Sequence, residues 1–188
     1  MAVALRLRAR RARAGCAFVA ACAAVLTGCV ASPGESGRTA KAAPFTAGGV
    51  AVKVRAEFRD GGVRILAELR PEQPGFHLYG IGLPNEGIDG IGIPTRIRAE
   101  GGLGATGPAT TDAKPRVLRP AGLDVGLPVY EDGTVTLELP VRRVEGADSA
   151  QVFLTYGACS ETGGCLPPVR DHEVVLPLGP LDPANPAR

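Results

Sequence analysis

The chain has 188 residues, 45% of them hydrophobic and 21% charged, with 26 Gly, 17 Pro, five Cys and no Trp. This apolar content excludes a chain disordered throughout, and the length suits one domain with short flanking segments. The formal charge of +2 is unevenly spread: Arg6, Arg8, Arg10, Arg11 and Arg13 precede residue 14, and without them 16 basic groups face 19 acidic ones. So mildly acidic a body fits a phosphate backbone poorly, and no nucleic-acid partner is expected.

The basic stretch is followed by residues 14–26, AGCAFVAACAAVL, which carry no charge. This run is too short to cross a hydrocarbon core of about 30 Å as a helix, and the two segments together have the form of a secretory signal peptide. Leu26-Thr27-Gly28-Cys29 then resembles the bacterial lipobox, in which cleavage precedes a lipid-modified cysteine. The pattern predicts that residues 1–28 are removed and that Cys29 carries the lipid. The protein would be anchored by that lipid alone to a bacterial membrane, outside the cytoplasm (periplasm or cell surface). Cys16 and Cys22 leave with the signal, so Cys159 and Cys165 remain as the only thiols, in a compartment where disulfides form.

Residues 29–48 are small, polar and interrupted by Pro and Gly, which reads as a flexible tether from lipid to domain. Period-two alternation starts next, with Val50, Val52, Val54, Ala56 and Phe58 on one face. Asp60-Gly61-Gly62 signals a hairpin, after which Val63, Ile65, Ala67 and Leu69 resume the alternation. Further strands are predicted at 95–99, 134–142, 151–157 and 172–178. Residues 80–128, rich in Gly and Pro, are expected to form extended loops. No apolar 3.6 repeat persists for three turns. The expected fold over residues 49–180 is therefore all-β, an immunoglobulin-like β-sandwich with long Gly/Pro-rich loops, with 181–188 as a tail. A closed barrel satisfies the same alternation.

Chemistry concentrates in Thr155-Tyr156-Gly157-Ala158-Cys159-Ser160-Glu161-Thr162-Gly163-Gly164-Cys165-Leu166-Pro167-Pro168. Two cysteines six positions apart follow a predicted strand. Bridging them requires the chain to fold back, which the paired glycines permit and Pro167-Pro168 terminates. Such a bridge is either a structural staple or a redox pair. As a staple it closes a short ring and contributes only roughly 2–2.5 kcal/mol, less than a link between distant strands would.

The segment TYGACSETGGCLPP resembles the cysteine signature of the N-terminal periplasmic domain of the thiol:disulfide interchange protein DsbD, with Tyr156, Cys159, Cys165, Pro167 and Pro168 in matching positions. Gly75-Phe76-His77-Leu78-Tyr79 is similar to the family's strand beside the cysteines. Val129-Tyr130-Glu131-Asp132, leading into Thr136–Pro140, is similar to the strand after its cap loop. The resemblance implies a domain whose disulfide is reduced by a thioredoxin-like protein fed by a membrane electron-channel protein. The reduced pair then passes electrons to exported oxidoreductases or substrates through mixed disulfides. By position Cys165 would form the mixed disulfide and Cys159 would resolve it, although nothing in the sequence itself ranks the two thiols. No Lys or Arg flanks the pair closely, and Glu161 would raise a thiol's pKa by like-charge repulsion.

Around the pair, His77 stands where relatives commonly carry an aromatic residue. It is either a proton shuttle or a half-exposed strand histidine with no role. Tyr79 and Tyr156 are the other candidate supporting residues; Tyr79 either lines the cysteine site or fills a sheet edge. The family's cap loop shields its cystine with an aromatic residue, whereas residues 121–128 here contain none, leaving Leu123 and Leu127 as apolar cover. The chain also ends at Arg188 without a membrane channel or thioredoxin-like domain, so separate partners are expected. No cofactor is implied. A zinc site drawn from Cys159, Cys165, His77 and His172 lacks ligand spacing, and no hydrolase triad or phosphate loop is legible. The competing reading is a lipid-anchored immunoglobulin-like binding or assembly module with a structural disulfide.

Overall fold

A computed structural model describes residues 37–59, 61–120 and 124–180. The expected signal segment, Cys29, the first part of the expected tether, Leu123 and the expected 181–188 tail lie outside the described residues. Fifteen strands form among those described, with no helix. They are β1 (Arg38–Lys41), β2 (Phe45–Ala47), β3 (Val50–Arg59), β4 (Gly62–Pro71) and β5 (Phe76–Leu78). The middle of the chain adds β6 (Arg96–Gly101), β7 (Leu103–Ala105), β8 (Thr110–Thr111), β9 (Pro115–Leu118) and β10 (Leu127–Tyr130). The last five are β11 (Val135–Arg143), β12 (Ser149–Tyr156), β13 (Ala158–Ser160), β14 (Gly164–Cys165) and β15 (Val169–Pro177).

Two sheets make the sandwich. The larger runs β1-β3-β4-β11-β7, with β2 also on β3 and β8 also on β11; the smaller runs β15-β12-β6. All pairings between these strands are antiparallel. The alternation explains the layering. Val50, Val52, Val54, Ala56 and Phe58 are all buried, as are Ile65, Ala67 and Leu69. They meet Ile97, Ala150, Val152, Leu154, Val174 and Leu176 of the smaller sheet in one core. The β3–β4 hairpin closes with Arg59 opposite Gly62, as the Asp-Gly-Gly signal predicts. The fold is an immunoglobulin-like β-sandwich.

Two expectations need correction. The tether does not extend to residue 48, because β1 and β2 both pair along the free edge of β3. Ala40 is buried there, and the Ala42 N–H donates to the Val54 carbonyl at 3.1 Å. A sheet edge recruits almost any short extended segment through backbone hydrogen bonds, and strands of three or four residues are too short to show a period. Likewise residues 80–128 hold four short strands besides β6, rather than loops alone. Tyr130 closes β10 instead of opening the next strand, which begins at Val135.

Two small sheets complete the molecule, and both serve the cysteine segment. One is β14-β13-β5, the other the β9–β10 hairpin. They are joined through Tyr79, which makes an antiparallel bridge to Val129 of β10 and a parallel bridge to Pro94.

Candidate functional site

Cys159 and Cys165 form a disulfide and are direct register partners across β13 and β14, with Cα atoms 4.0 Å apart. The turn between them is built locally. The Ser160 hydroxyl accepts hydrogen bonds from the N–H groups of Thr162 (3.2 Å) and Gly163 (2.9 Å). Gly164 takes the left-handed conformation (φ 78°) that only glycine adopts without strain. The chain then leaves through Leu166, whose N–H donates to the Ala158 carbonyl at 2.9 Å.

That exit rests on the hairpin turn between β2 and β3. A Cβ on Gly48 would stand 2.6 Å from the Pro167 carbonyl oxygen, and one on Gly49 2.5 Å from Leu166 Cδ1. Both glycines have positive φ (55° and 68°). A Gly-Gly turn that straddles the expected boundary between tether and domain is therefore the platform under the cysteine hairpin.

The two sulfur-bearing residues differ in access. Cys159 is 7% exposed, whereas Cys165 lies on an exposed strand. Cys159 packs in a small apolar cluster with Tyr79, Leu83, Leu127 and Val129, separate from the sandwich core, with Leu118 and Val125 at its margin. Leu127 and Val129 come from β10, so the β9–β10 hairpin supplies apolar cover over the inner cysteine. Leu127, one of the two leucines named from sequence, packs in this cluster. Val129 was read from sequence as part of a strand motif and not as cover, and Leu83 and Leu118 were not singled out at all.

His77 is the register partner of Cys159 on the side away from Cys165. It is 2% exposed, not half-exposed, because β5 is enclosed between β13 and the β9–β10 hairpin. Its ring meets Tyr79 edge to face, with centroids 5.8 Å apart. Burial lowers the imidazole's pKa, the positive charge of Arg116 lowers it further, and Glu161 and Asp132 oppose. Tyr79 lines the site rather than a sheet edge; burial raises its phenol's pKa. Its carbonyl accepts from the Thr95 hydroxyl at 2.5 Å, which anchors the end of β5.

Tyr156 is not part of this constellation. It belongs to the sandwich core, and its hydroxyl donates to the Ala47 carbonyl at 3.1 Å. Desolvation pushes its pKa up to about 12. It ties β2 to the smaller sheet just before the chain enters the cysteine hairpin. His172 stacks on Phe45, with ring centroids 4.5 Å apart, and takes no part either.

The charge picture also changes. Arg116 of β9 pairs with Glu161 in the β13–β14 turn at 2.6 Å. The carboxylate next to the cysteines is thereby balanced, and a cation does stand near the pair. Sequence reasoning missed Arg116 because its partner lies 45 positions away. Beside this ion pair runs an open polar groove of ≈ 560 Å³ lined by Gly75, Arg116, Asp132, Ser160, Glu161 and Thr162 among others. Among the described residues no helix is long and apolar enough to cross a membrane, and no cluster of His, Cys, Asp and Glu could hold a metal.

No protein-family model matches the sequence, and no curated protein matches it. Solved structures do match. The N-terminal periplasmic domain of ScsB from Proteus mirabilis superposes with a TM-score of 0.53 at 22% identity, over 75% of this chain and 52% of that one. The chain thus spans about half the length of that solved structure. The N-terminal domain of Neisseria meningitidis DsbD in its reduced form gives a TM-score of 0.44 at 18% identity, over 70% of this chain and 86% of that one. The described domain shares its fold with the N-terminal periplasmic domain of ScsB, which bears out, for the fold, the resemblance read from the cysteine segment.

Proposed function

We propose that the protein is an extracytoplasmic thiol–disulfide exchange domain that relays electrons through the Cys159–Cys165 pair. The observation that carries this reading is the placement of the cystine. It joins two strands that are already paired, so it staples nothing distant. It also presents one cysteine to solvent while sealing the other under an apolar cover. That asymmetry suits exchange: an incoming thiolate can reach Cys165, and Cys159 is the protected leaving and resolving group.

In the reducing direction a thiolate of a thioredoxin-like donor attacks Cys165, the disulfide breaks, and Cys159 leaves with the electron pair. A second donor thiol then releases the domain in its dithiol form. In the forward direction the Cys165 thiolate attacks an exported disulfide, and Cys159 resolves the mixed disulfide. A membrane electron channel is the proposed source of electrons, and a lipid on Cys29 the proposed anchor.

A trapping experiment tests this reading. Cys159→Ser leaves Cys165 unable to be resolved, so the variant should accumulate a mixed disulfide with a thioredoxin-like or exported protein, identifiable by mass. Cys165→Ser should trap far less, since Cys159 is covered. Equal, negligible trapping by both variants, together with a wild-type cystine that resists reduced thioredoxin, would leave a structural disulfide in an anchored module.

A further inference from the structure

Three side chains stand in a row across the site sheet. Cys165 on β14 pairs with Cys159 on β13, which pairs in turn with His77 on β5. Directly opposed residues on antiparallel strands project to the same face, with Cβ atoms about 4.5–5.5 Å apart. The imidazole therefore flanks the inner sulfur on the side away from Cys165. Within this enclosure His77 Nε2 is buried without a hydrogen-bond partner.

A buried, unpaired ring nitrogen is costly, and an aromatic ring of similar size would fill the space without that cost. The cost has a reason if the partner exists in only one redox state. In the disulfide neither sulfur carries a proton to share. On reduction Cys159 becomes a thiol, an S–H donor one strand away from Nε2.

We infer that His77 is the proton acceptor of Cys159, converting the covered resolving thiol to a thiolate once Cys165 is held in a mixed disulfide. The inference rests on the exchange reading above and adds the means by which a sealed thiol reacts. With Cys165 joined to a partner's sulfur, the Cys159 proton passes to Nε2. The Cys159 thiolate attacks the Cys165 sulfur, and the Cys159–Cys165 bond forms as the bond to the partner breaks. The electron pair leaves on the partner's sulfur, which takes up the proton that His77 releases. Together with the earlier attack by Cys165 on the partner's disulfide, the cysteine pair loses two electrons and the partner gains them.

The surroundings hold the imidazole in the neutral form that can accept a proton. Burial and Arg116 on β9 lower its pKa, Glu161 in the β13–β14 turn and Asp132 after β10 raise it, and Tyr79 beside it is kept uncharged by its own burial. Once the proton has moved, the imidazolium stabilises the neighbouring thiolate.

The test uses the full chain with Cys16→Ser, Cys22→Ser and Cys29→Ser, so that the pair supplies the only thiols. The reduced protein is mixed with one equivalent of a chromogenic aromatic disulfide. Coloured thiolate is released first when Cys165 is capped and again when Cys159 displaces the cap. His77→Phe is expected to leave the first release unchanged and to slow the second about 10²-fold. The pH midpoint of the second release should also rise toward the ordinary thiol value of about 8.5. An unchanged second rate and midpoint in the folded variant overturns the inference. Should the variant not fold, the wild-type chain decides: the His77 ring-nitrogen resonances must shift between oxidised and reduced protein, and identical resonances overturn it. A wild-type cystine that no dithiol reduces without unfolding overturns the exchange reading and this inference together, and that result is seen before His77 is touched.

Discussion

At the scale of single residues, the site is a problem of burial. Cys159 and Cys165 are chemically identical in sequence, and their difference in exposure comes from the Leu127 and Val129 side chains that arrive from β10. His77 is similarly decided by its surroundings. Because burial holds its folded-state pKa below the unfolded value of about 6.5, the unfolded chain binds the proton more readily. The imidazole thus favours the fold fully above about pH 6.5, and that contribution is lost as pH falls below it. Thermal unfolding of the oxidised protein should show a midpoint that drops on acidification through this window. The drop should be shallower for His77→Phe, and equal slopes for the two proteins would contradict the buried, neutral histidine.

At the scale of elements, the cysteine hairpin depends on neighbours far away in the chain. Its exit lies on the Gly48-Gly49 turn, where a side chain has no room beside Pro167 and Leu166. Gly48→Ala forces an L residue into the left-handed region, at about 1–2 kcal/mol, and meets a backbone oxygen that cannot rotate away. The variant should lose at least that much stability in denaturant titration. Its cystine should also be reduced faster by a small dithiol, since the clash falls on the segment that follows Cys165. A Gly61→Ala control, where a Cβ meets nothing within 4 Å, should do neither. The long strands β3, β4, β11, β12 and β15 were legible because eight to ten residues of alternation cannot be mistaken. β1, β2 and β7–β10 were not, because short strands exist through pairing and carry little pattern of their own.

At the scale of the whole molecule, a sandwich supplies the main core and two small sheets hold the cysteine segment and its apolar cover. The proposed anchor adds a testable consequence. If Cys29 carries lipid, the wild-type chain expressed in a bacterial host should partition into the detergent phase and incorporate labelled fatty acid. Cys29→Ser should do neither while keeping its cystine. A wild-type chain that stays in the aqueous phase would remove the anchor and leave the exchange chemistry standing.

The alternation of Val50 to Phe58 and of Val63 to Leu69 sufficed by itself to define strands with one buried face, since period-two burial follows from strand geometry alone, while the choice of sandwich over closed barrel came from the sheet topology. The spacing of Cys159 and Cys165 around two glycines likewise sufficed to show that any bridge between them needs a tight reversal of the chain. Only the tertiary structure decided that Cys159 is the covered sulfur, that His77 flanks it, that Arg116 balances Glu161 and that Tyr156 belongs to the core. These are contacts between segments tens of residues apart, and local pattern holds no information about which distant side chain will close over a given atom.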